Sequence, residues 1–162
     1  MLLLGEGLHV GLVLPTGEPA PSPGWVEYGF GEWEWYAMGN DAWYRVFPVM
    51  LWPTAGTLCR REYAAHGVDA LRRQCAAAGR ALDPMVVGGR EVKALRQRLA
   101  AEFARGAAGA VTRPEFAMTF VPADDSYWFG CTCADVAARW CRELGCTVGW
   151  IPIRSGLAVH RD

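Results

Sequence analysis

Two short apolar segments near the N-terminus, Leu8 to Leu14 and Trp25 to Phe30, constrain the fold of this chain most strongly. Each has the length and the branched or aromatic side chains of a β-strand. The residues between them, Pro15 to Gly24, are rich in proline and glycine, which is typical of a loop. The pattern therefore predicts an antiparallel hairpin with a long connection, and a third strand is predicted at Gly56 to Tyr63.

Three helices are predicted farther along the chain. Apolar side chains recur at helical spacing from Val68 to Ala78 and from Val92 to Phe103, and a last helix covers Cys133 to Leu144 with Gly145 after its end. Three shorter segments have features of strands: Ala117 to Val121, Tyr127 to Phe129 and Val148 to Val159. A Pro-Ala-Asp-Asp turn is expected between the first two of these. The prediction is one α+β domain over residues 1–162, with a small antiparallel sheet and three or so helices.

Composition excludes several classes of protein. The chain has 162 residues, of which 52% are hydrophobic, so it can bury a substantial core. Its net charge of −1 lacks the basic excess of an electrostatic nucleic-acid binder. No stretch approaches the ~20 apolar residues of a membrane-spanning helix. The expected location is cytoplasmic, or membrane-anchored or periplasmic if an N-terminal segment precedes this sequence in the cell.

The six cysteines are scattered unevenly, and no Cys-x-x-Cys pair occurs, so free thiols are expected. Cys131 and Cys133 enclose a single threonine, which is neither a usual zinc-ligand spacing nor a favourable disulfide geometry. A metal or redox site at these two thiols stays a weaker alternative. The sequence indicates no cofactor and no metal ion.

His9 and Glu27 are candidate site residues in the predicted hairpin. Only three histidines occur, and His9 lies within the first strand on the same face as Gly11, which leaves space beside the ring. If Gly11 lies opposite Glu27, or His9 opposite Gly29, then His9 and Glu27 share a face. Glu27 would then accept an imidazole N–H. The alternatives are a buried strand histidine bonded to a carbonyl and a solvent-facing glutamate.

Cys133 is the candidate nucleophile because it begins the last helix, on the inward side with Val136 and Ala137. The open N–H groups and the positive end of the helix dipole favour a thiolate there and suit an oxyanion. Asp135 fits this helix start as a cap, although its negative charge opposes the thiolate. The alternative is a buried structural cysteine.

Aromatic side chains crowd the segment from Trp25 to Trp52. Trp33 and Trp35 alternate with Glu32 and Glu34, which predicts an aromatic face and an acidic face. These rings are candidates to line a cleft for an acyl chain, a sugar or a peptide. The alternative is that they fill a small core.

The two ends of the chain resemble a bacterial family named domain of unknown function 2459. The resemblance rests on these segments: Leu8 to Pro15, Trp25 to Gly31, Asp125 to Tyr127, Thr132-Cys133, Ala138 to Gly145 and Gly149 to Pro152. More distantly, the order of a strand histidine, a glutamate on the next strand and a late cysteine is similar to the circularly permuted NlpC/papain-like superfamily. That resemblance implies a Cys133–His9–Glu27 triad and acyl transfer through a thioester. Ala134 stands where the first family has asparagine, and Val136 where it has tryptophan.

The resulting hypothesis is a thiol-dependent acyl-transfer hydrolase of the amidase, peptidase or thioesterase kind. Cys133 attacks a carbonyl, His9 is the general base and Glu27 orients His9. The expected partner is a small-molecule, peptide or acyl substrate in an aromatic-lined cleft, with no nucleic acid and no membrane span. The alternatives are an inactive ligand-binding module on the same fold and a chain that has kept no enzyme activity.

Overall fold

Antiparallel pairing organises the chain in the computed structural model, which describes residues 1–6, 9–17, 24–40, 42–149 and 159–160. Seven strands form one sheet: β1 (Leu2–Glu6), β2 (His9–Pro15), β3 (Trp25–Glu32), β4 (Thr54–Tyr63), β5 (Ala81–Pro84), β6 (Val111–Arg113) and β7 (Met118–Tyr127). Their order across the sheet is β5-β1-β2-β3-β4-β7-β6. A separate pair consists of β8 (Thr147–Val148) and β9 (Val159–His160).

The helices are α1 (Val46–Leu51), α2 (Gly67–Ala77), α3 (Gly89–Arg105) and α4 (Cys133–Glu143). The last three lie within a few residues of the predicted helices, and Gly145 after α4 has the left-handed φ of 77° that favours glycine. The fold is α+β, as predicted. No helix within the described ranges is both long enough and apolar enough to cross a membrane.

Apolar side chains cover both faces of the sheet. On one face, α3 and α4 pack on side chains of β2 and β3 such as Val10, Leu12 and Tyr28. The other face carries two smaller clusters: Leu2, Val13, Tyr63, Leu71 and their neighbours near α2, and Ala37, Cys59, Met118 and Phe120 near the other edge. Between these two clusters lie the polar side chains that form the candidate site.

Two predictions about the strands are wrong. The sheet begins earlier than predicted, because Leu2–Glu6 pairs with β2 and buries Leu2 and Leu4. Leu8, the predicted first residue of the first strand, lies outside the described residues. Residues 150–158 of the predicted tail strand also lie outside them. No Pro-Ala-Asp-Asp turn interrupts β7, because β4 pairs with it on both sides of this segment. The register of the pairing shifts at Gly56, between Ala55 and Thr57. A Cβ at Gly56 would lie 2.1 Å from a backbone oxygen of β7, so this close approach requires glycine.

The alternation of Trp33 and Trp35 with acidic residues does not belong to a strand. Trp33–Ala37 forms a single helical turn after β3. The buried Glu32 side chain accepts a hydrogen bond from the Trp35 N–H at 2.6 Å and so caps this turn. The alternation of acidic and aromatic residues is therefore explained by an acidic cap at the start of a helical turn, and not by a strand.

Candidate functional site

His9 and Glu27 project from the same face of neighbouring strands, as the hairpin hypothesis requires. Gly11 lies opposite Gly29, and Val13 lies opposite Glu27. This register differs by two residues from the pairings considered in the sequence analysis, but a shift of two leaves every side chain on the same face. The shift places Glu27 four residues along the ladder from His9.

Glu27 is held by a polar cluster on β4 instead of by His9. It is fully buried, so the alternative of a solvent-facing glutamate is wrong. The Tyr63 hydroxyl donates to its carboxyl at 2.5 Å, and Arg61 Nη1 lies 3.6 Å from the same oxygen. Arg80 in turn donates to the Tyr63 hydroxyl at 2.9 Å. The structure therefore joins Glu27 to Tyr63 and Arg61, and it forms no hydrogen bond between Glu27 and His9.

The imidazole of His9 lies in a crowded position, with its ring nitrogens buried although the residue as a whole is partly exposed. Both ring nitrogens are buried and have no hydrogen-bond partner in the part of the chain that the structure describes. A Cβ at Gly29 would lie 2.7 Å from His9 Nε2 and 2.8 Å from Cys59 Sγ, so the ring and this thiol flank the space that glycine leaves open. Burial and then the charge of Arg61 lower the pKa of His9 to about 4. The imidazole is therefore neutral at pH 7.

Cys133 begins α4 behind a well-formed cap. The Thr132 hydroxyl accepts from the Asp135 N–H at 3.4 Å, and the Asp135 carboxylate accepts from the Thr132 N–H at 2.9 Å and from its hydroxyl at 2.7 Å. This reciprocal arrangement satisfies backbone donors that a helix start leaves open. The predicted role of Asp135 as a cap is confirmed.

Two opposing effects act on the Cys133 thiol. Burial raises its pKa, whereas the backbone N–H groups of Val10, Ala134 and Cys133 itself favour the thiolate, and the Asp135 charge opposes it. The helix start acts in the expected direction, but burial outweighs it, so the net direction of the pKa is upward. The resting side chain is a neutral thiol surrounded by N–H groups from α4 and from β2.

The structure brings the Cys133 sulfur to the backbone beside His9. Pairing between β2 and β3 begins at Gly11 opposite Gly29, so His9 and Val10 lie at the open end of that ladder. The Val10 N–H, one residue after His9, is directed at the sulfur. The Cys133 sulfur thus lies against the backbone of the residue that follows His9 in β2, whereas Glu27 lies four residues farther along that ladder.

Cys59 and Arg61 belong to the site and were missed by the sequence analysis. Both lie on β4, and Cys59 is opposite Gly29. Burial raises the pKa of the Cys59 thiol, and the negative charges of Glu27 and of a Cys133 thiolate raise it further. The signal that could have found them is the pairing of β4 with β3, which composition and spacing do not reveal.

A cavity of about 200 Å³ opens beside His9. Its polar wall consists of His9, Cys59 and Arg61, and the remaining wall is formed by these residues: Phe30, Gly31, Tyr36, Phe116, Met118 and Phe120. The His9 ring lies 5.7 Å from the Tyr36 ring, which stacks on Phe120. The arrangement combines an apolar enclosure with a small polar end.

The aromatic segment predicted to line a substrate groove divides into three parts. Phe30 and Tyr36 line the cavity. Trp25 and Tyr28 are buried in the core, as the alternative proposed. Six large apolar side chains of the segment are exposed: Met38, Trp43, Tyr44, Phe47, Leu51 and Trp52.

None of the six cysteines, all of which lie in the described ranges, forms a disulfide, and Cys131 is the least buried of them. Within the described residues, no three His, Cys, Asp or Glu side chains are grouped as metal ligands would be. No family model, no curated protein and no solved structure matches the chain. The resemblance to the domain of unknown function 2459 and to the permuted NlpC/papain-like superfamily stays a prediction.

Proposed function

We propose that this protein is a thiol-dependent acyl-transfer hydrolase in which Cys133 is the nucleophile and His9 the general base. The observation that carries the proposal is the convergence of backbone N–H groups on the Cys133 sulfur, from the start of α4 and from Val10, which follows His9 in β2. A sulfur in such surroundings can attack a carbonyl carbon while nearby N–H groups receive the oxyanion. The substrate class is an amide, an ester or a thioester.

The reaction begins with a neutral thiol and a neutral imidazole. As the Cys133 sulfur attacks the carbonyl carbon, its proton passes to His9, and the carbonyl oxygen becomes an oxyanion held by N–H groups at the start of α4. His9 then protonates the leaving group as the tetrahedral intermediate collapses to a thioester. Water, deprotonated by His9, attacks the thioester carbonyl, and the thiol is restored. The developing negative charge stabilises the imidazolium, which offsets the low pKa of His9 in the resting state.

Glu27 enters this proposal as a positioning residue and not as a direct partner of His9. Its carboxyl holds Arg61, whose positive charge lowers the pKa of His9. Glu27 thus keeps that charge in place and partly compensates it. Its predicted hydrogen bond to the imidazole would require a rearrangement along the strand.

The test is acylation by a p-nitrophenyl ester, followed by mass spectrometry of the peptide fragments. We expect the acyl group on Cys133, its loss in Cys133→Ser, and acylation at least tenfold slower in His9→Gln. Cys141→Ser is the matched control, because Cys141 is a buried thiol in the same helix. Acylation at another cysteine, or an unchanged rate in folded His9→Gln, would contradict the proposed roles.

A ligand-binding module without catalysis is the second candidate. The observation that favours it is that His9 forms no hydrogen bond within the described residues, while burial raises the pKa of Cys133. The nucleophile and the base are therefore not coupled in the resting state. If the folded protein binds a small molecule beside His9 but is not acylated, that result supports this candidate over the hydrolase.

A further inference from the structure

We propose that the cavity beside His9 binds a small carboxylic acid with one aromatic ring, its carboxylate bonded to Arg61 and His9. This site shares His9 with the proposed chemistry, but its cavity is lined by Cys59 and not by Cys133. The ligand could be bound whether or not Cys133 is a nucleophile. Three observations support the assignment, and each concerns a different part of the cavity.

The first observation is a set of unsatisfied polar atoms. Both ring nitrogens of His9 and the Nε of Arg61 are buried without a hydrogen-bond partner among the described residues. Buried polar atoms in folded proteins are nearly always bonded to protein, water or ligand. Both side chains line the same cavity. An acceptor group placed there would satisfy the Arg61 N–H and one imidazole N–H together.

The second observation is the charge around this polar end. Arg61 and Arg80 both donate to the Tyr63 hydroxyl, and Glu27 is the carboxyl that this cluster encloses. Arg61 brings a guanidinium group from this cluster to the wall of the cavity. A carboxylate matches the planar guanidinium group better than a neutral amide or an alcohol does. The cluster therefore favours an anionic head group.

The third observation is the size and apolarity of the remaining wall. The aromatic and thioether side chains of Phe30, Tyr36, Met118 and Phe120 enclose about 200 Å³. An apolar cavity of about 150 Å³ accommodates benzene, so this one has room for a single ring with a carboxyl group. Phe116, which is 40% exposed, places this part of the wall at the protein surface. A fused two-ring acid needs more room than a single ring, so its binding tests the size of the cavity.

The experiment measures binding of benzoate by isothermal titration calorimetry to the Cys133→Ala variant, in which no thioester can form. We expect benzoate to bind at least tenfold more tightly than benzamide, which tests the head group, and than 2-naphthoate, which tests the size. Arg61→Gln should weaken benzoate binding at least tenfold. Arg60→Gln is the matched control, because Arg60 precedes Arg61 on β4 and points to the other face.

Benzoate binding that is absent, equal to that of benzamide, or unchanged in folded Arg61→Gln would overturn the proposal. If Arg61→Gln does not fold, the comparison of benzoate, benzamide and 2-naphthoate still decides it without that variant. Failure of the proposed hydrolase gives a different result, because acylation of Cys133 would be absent while benzoate binding persists. Acylation without benzoate binding would overturn the cavity assignment alone.

Discussion

Acid should destabilise this protein through one buried histidine. His9 has an ordinary pKa of 6.5 in the unfolded chain and a pKa of about 4 in the native state, because burial and the Arg61 charge disfavour the imidazolium. Between these two values the unfolded chain binds a proton that the native state does not bind. The free energy of unfolding must therefore fall as the pH decreases from above 6.5 towards 4.

The magnitude follows from the two pKa values. A tenfold difference in proton affinity corresponds to about 1.4 kcal/mol, so the full loss below pH 4 is about 3 kcal/mol. By pH 5, where the unfolded histidine is almost fully charged, the loss is about 2 kcal/mol. A small domain has only ~5–15 kcal/mol of stability, so this contribution is a measurable fraction.

The assay is urea unfolding from pH 8 to pH 5 for wild type and for His9→Phe, which keeps a planar ring but cannot be protonated. The stability difference between the two should change by about 2 kcal/mol over this range, in favour of the variant at low pH. His66→Gln alters an exposed histidine and is the matched control. A pH-independent difference, or an NMR titration of His9 near 6.5, would refute the burial of the imidazole.

Three further substitutions test other parts of the structure. Asp135→Asn weakens the cap of α4 and should cost about 1 kcal/mol in urea unfolding, yet it should speed alkylation of Cys133 at pH 8, because the lost charge opposes the thiolate. Glu27→Gln leaves Arg61 without its buried carboxyl and should cost about 3 kcal/mol or more; a loss under about 1 kcal/mol would contradict this pairing. Gly56→Ala places a Cβ 2.1 Å from a backbone oxygen and should lower Tm, with a cost of about 1–3 kcal/mol; an unchanged Tm would argue against the irregularity in β4.

Local patterns predicted the elements that depend on neighbouring residues. The helix from Cys133, its cap by Asp135 and its end at Gly145 follow from side chains within a few positions of one another. The strand β1, which was not predicted, and the turn wrongly predicted within β7 depend instead on residues far apart in the sequence. A five-residue strand and an extended Pro-Ala-Asp-Asp segment are stabilised by pairing with distant strands, which a local pattern does not contain.

The sequence by itself predicted the hairpin, and it predicted a shared face for His9 and Glu27 on condition of the strand register. The observed register differs by two residues from the pairings considered, so the shared face is kept, whereas a shift of one residue would have separated the two side chains. Only the tertiary structure decided which groups those side chains meet. In the observed register, the Glu27 carboxyl contacts Tyr63 and Arg61, and the Cys59 thiol lies beside the His9 ring. It also decided how the titratable groups behave, because burial is a property of the packed molecule. Desolvation outweighs the helix start at Cys133 and lowers the pKa of His9, and neither effect can be read from residues adjacent in the chain.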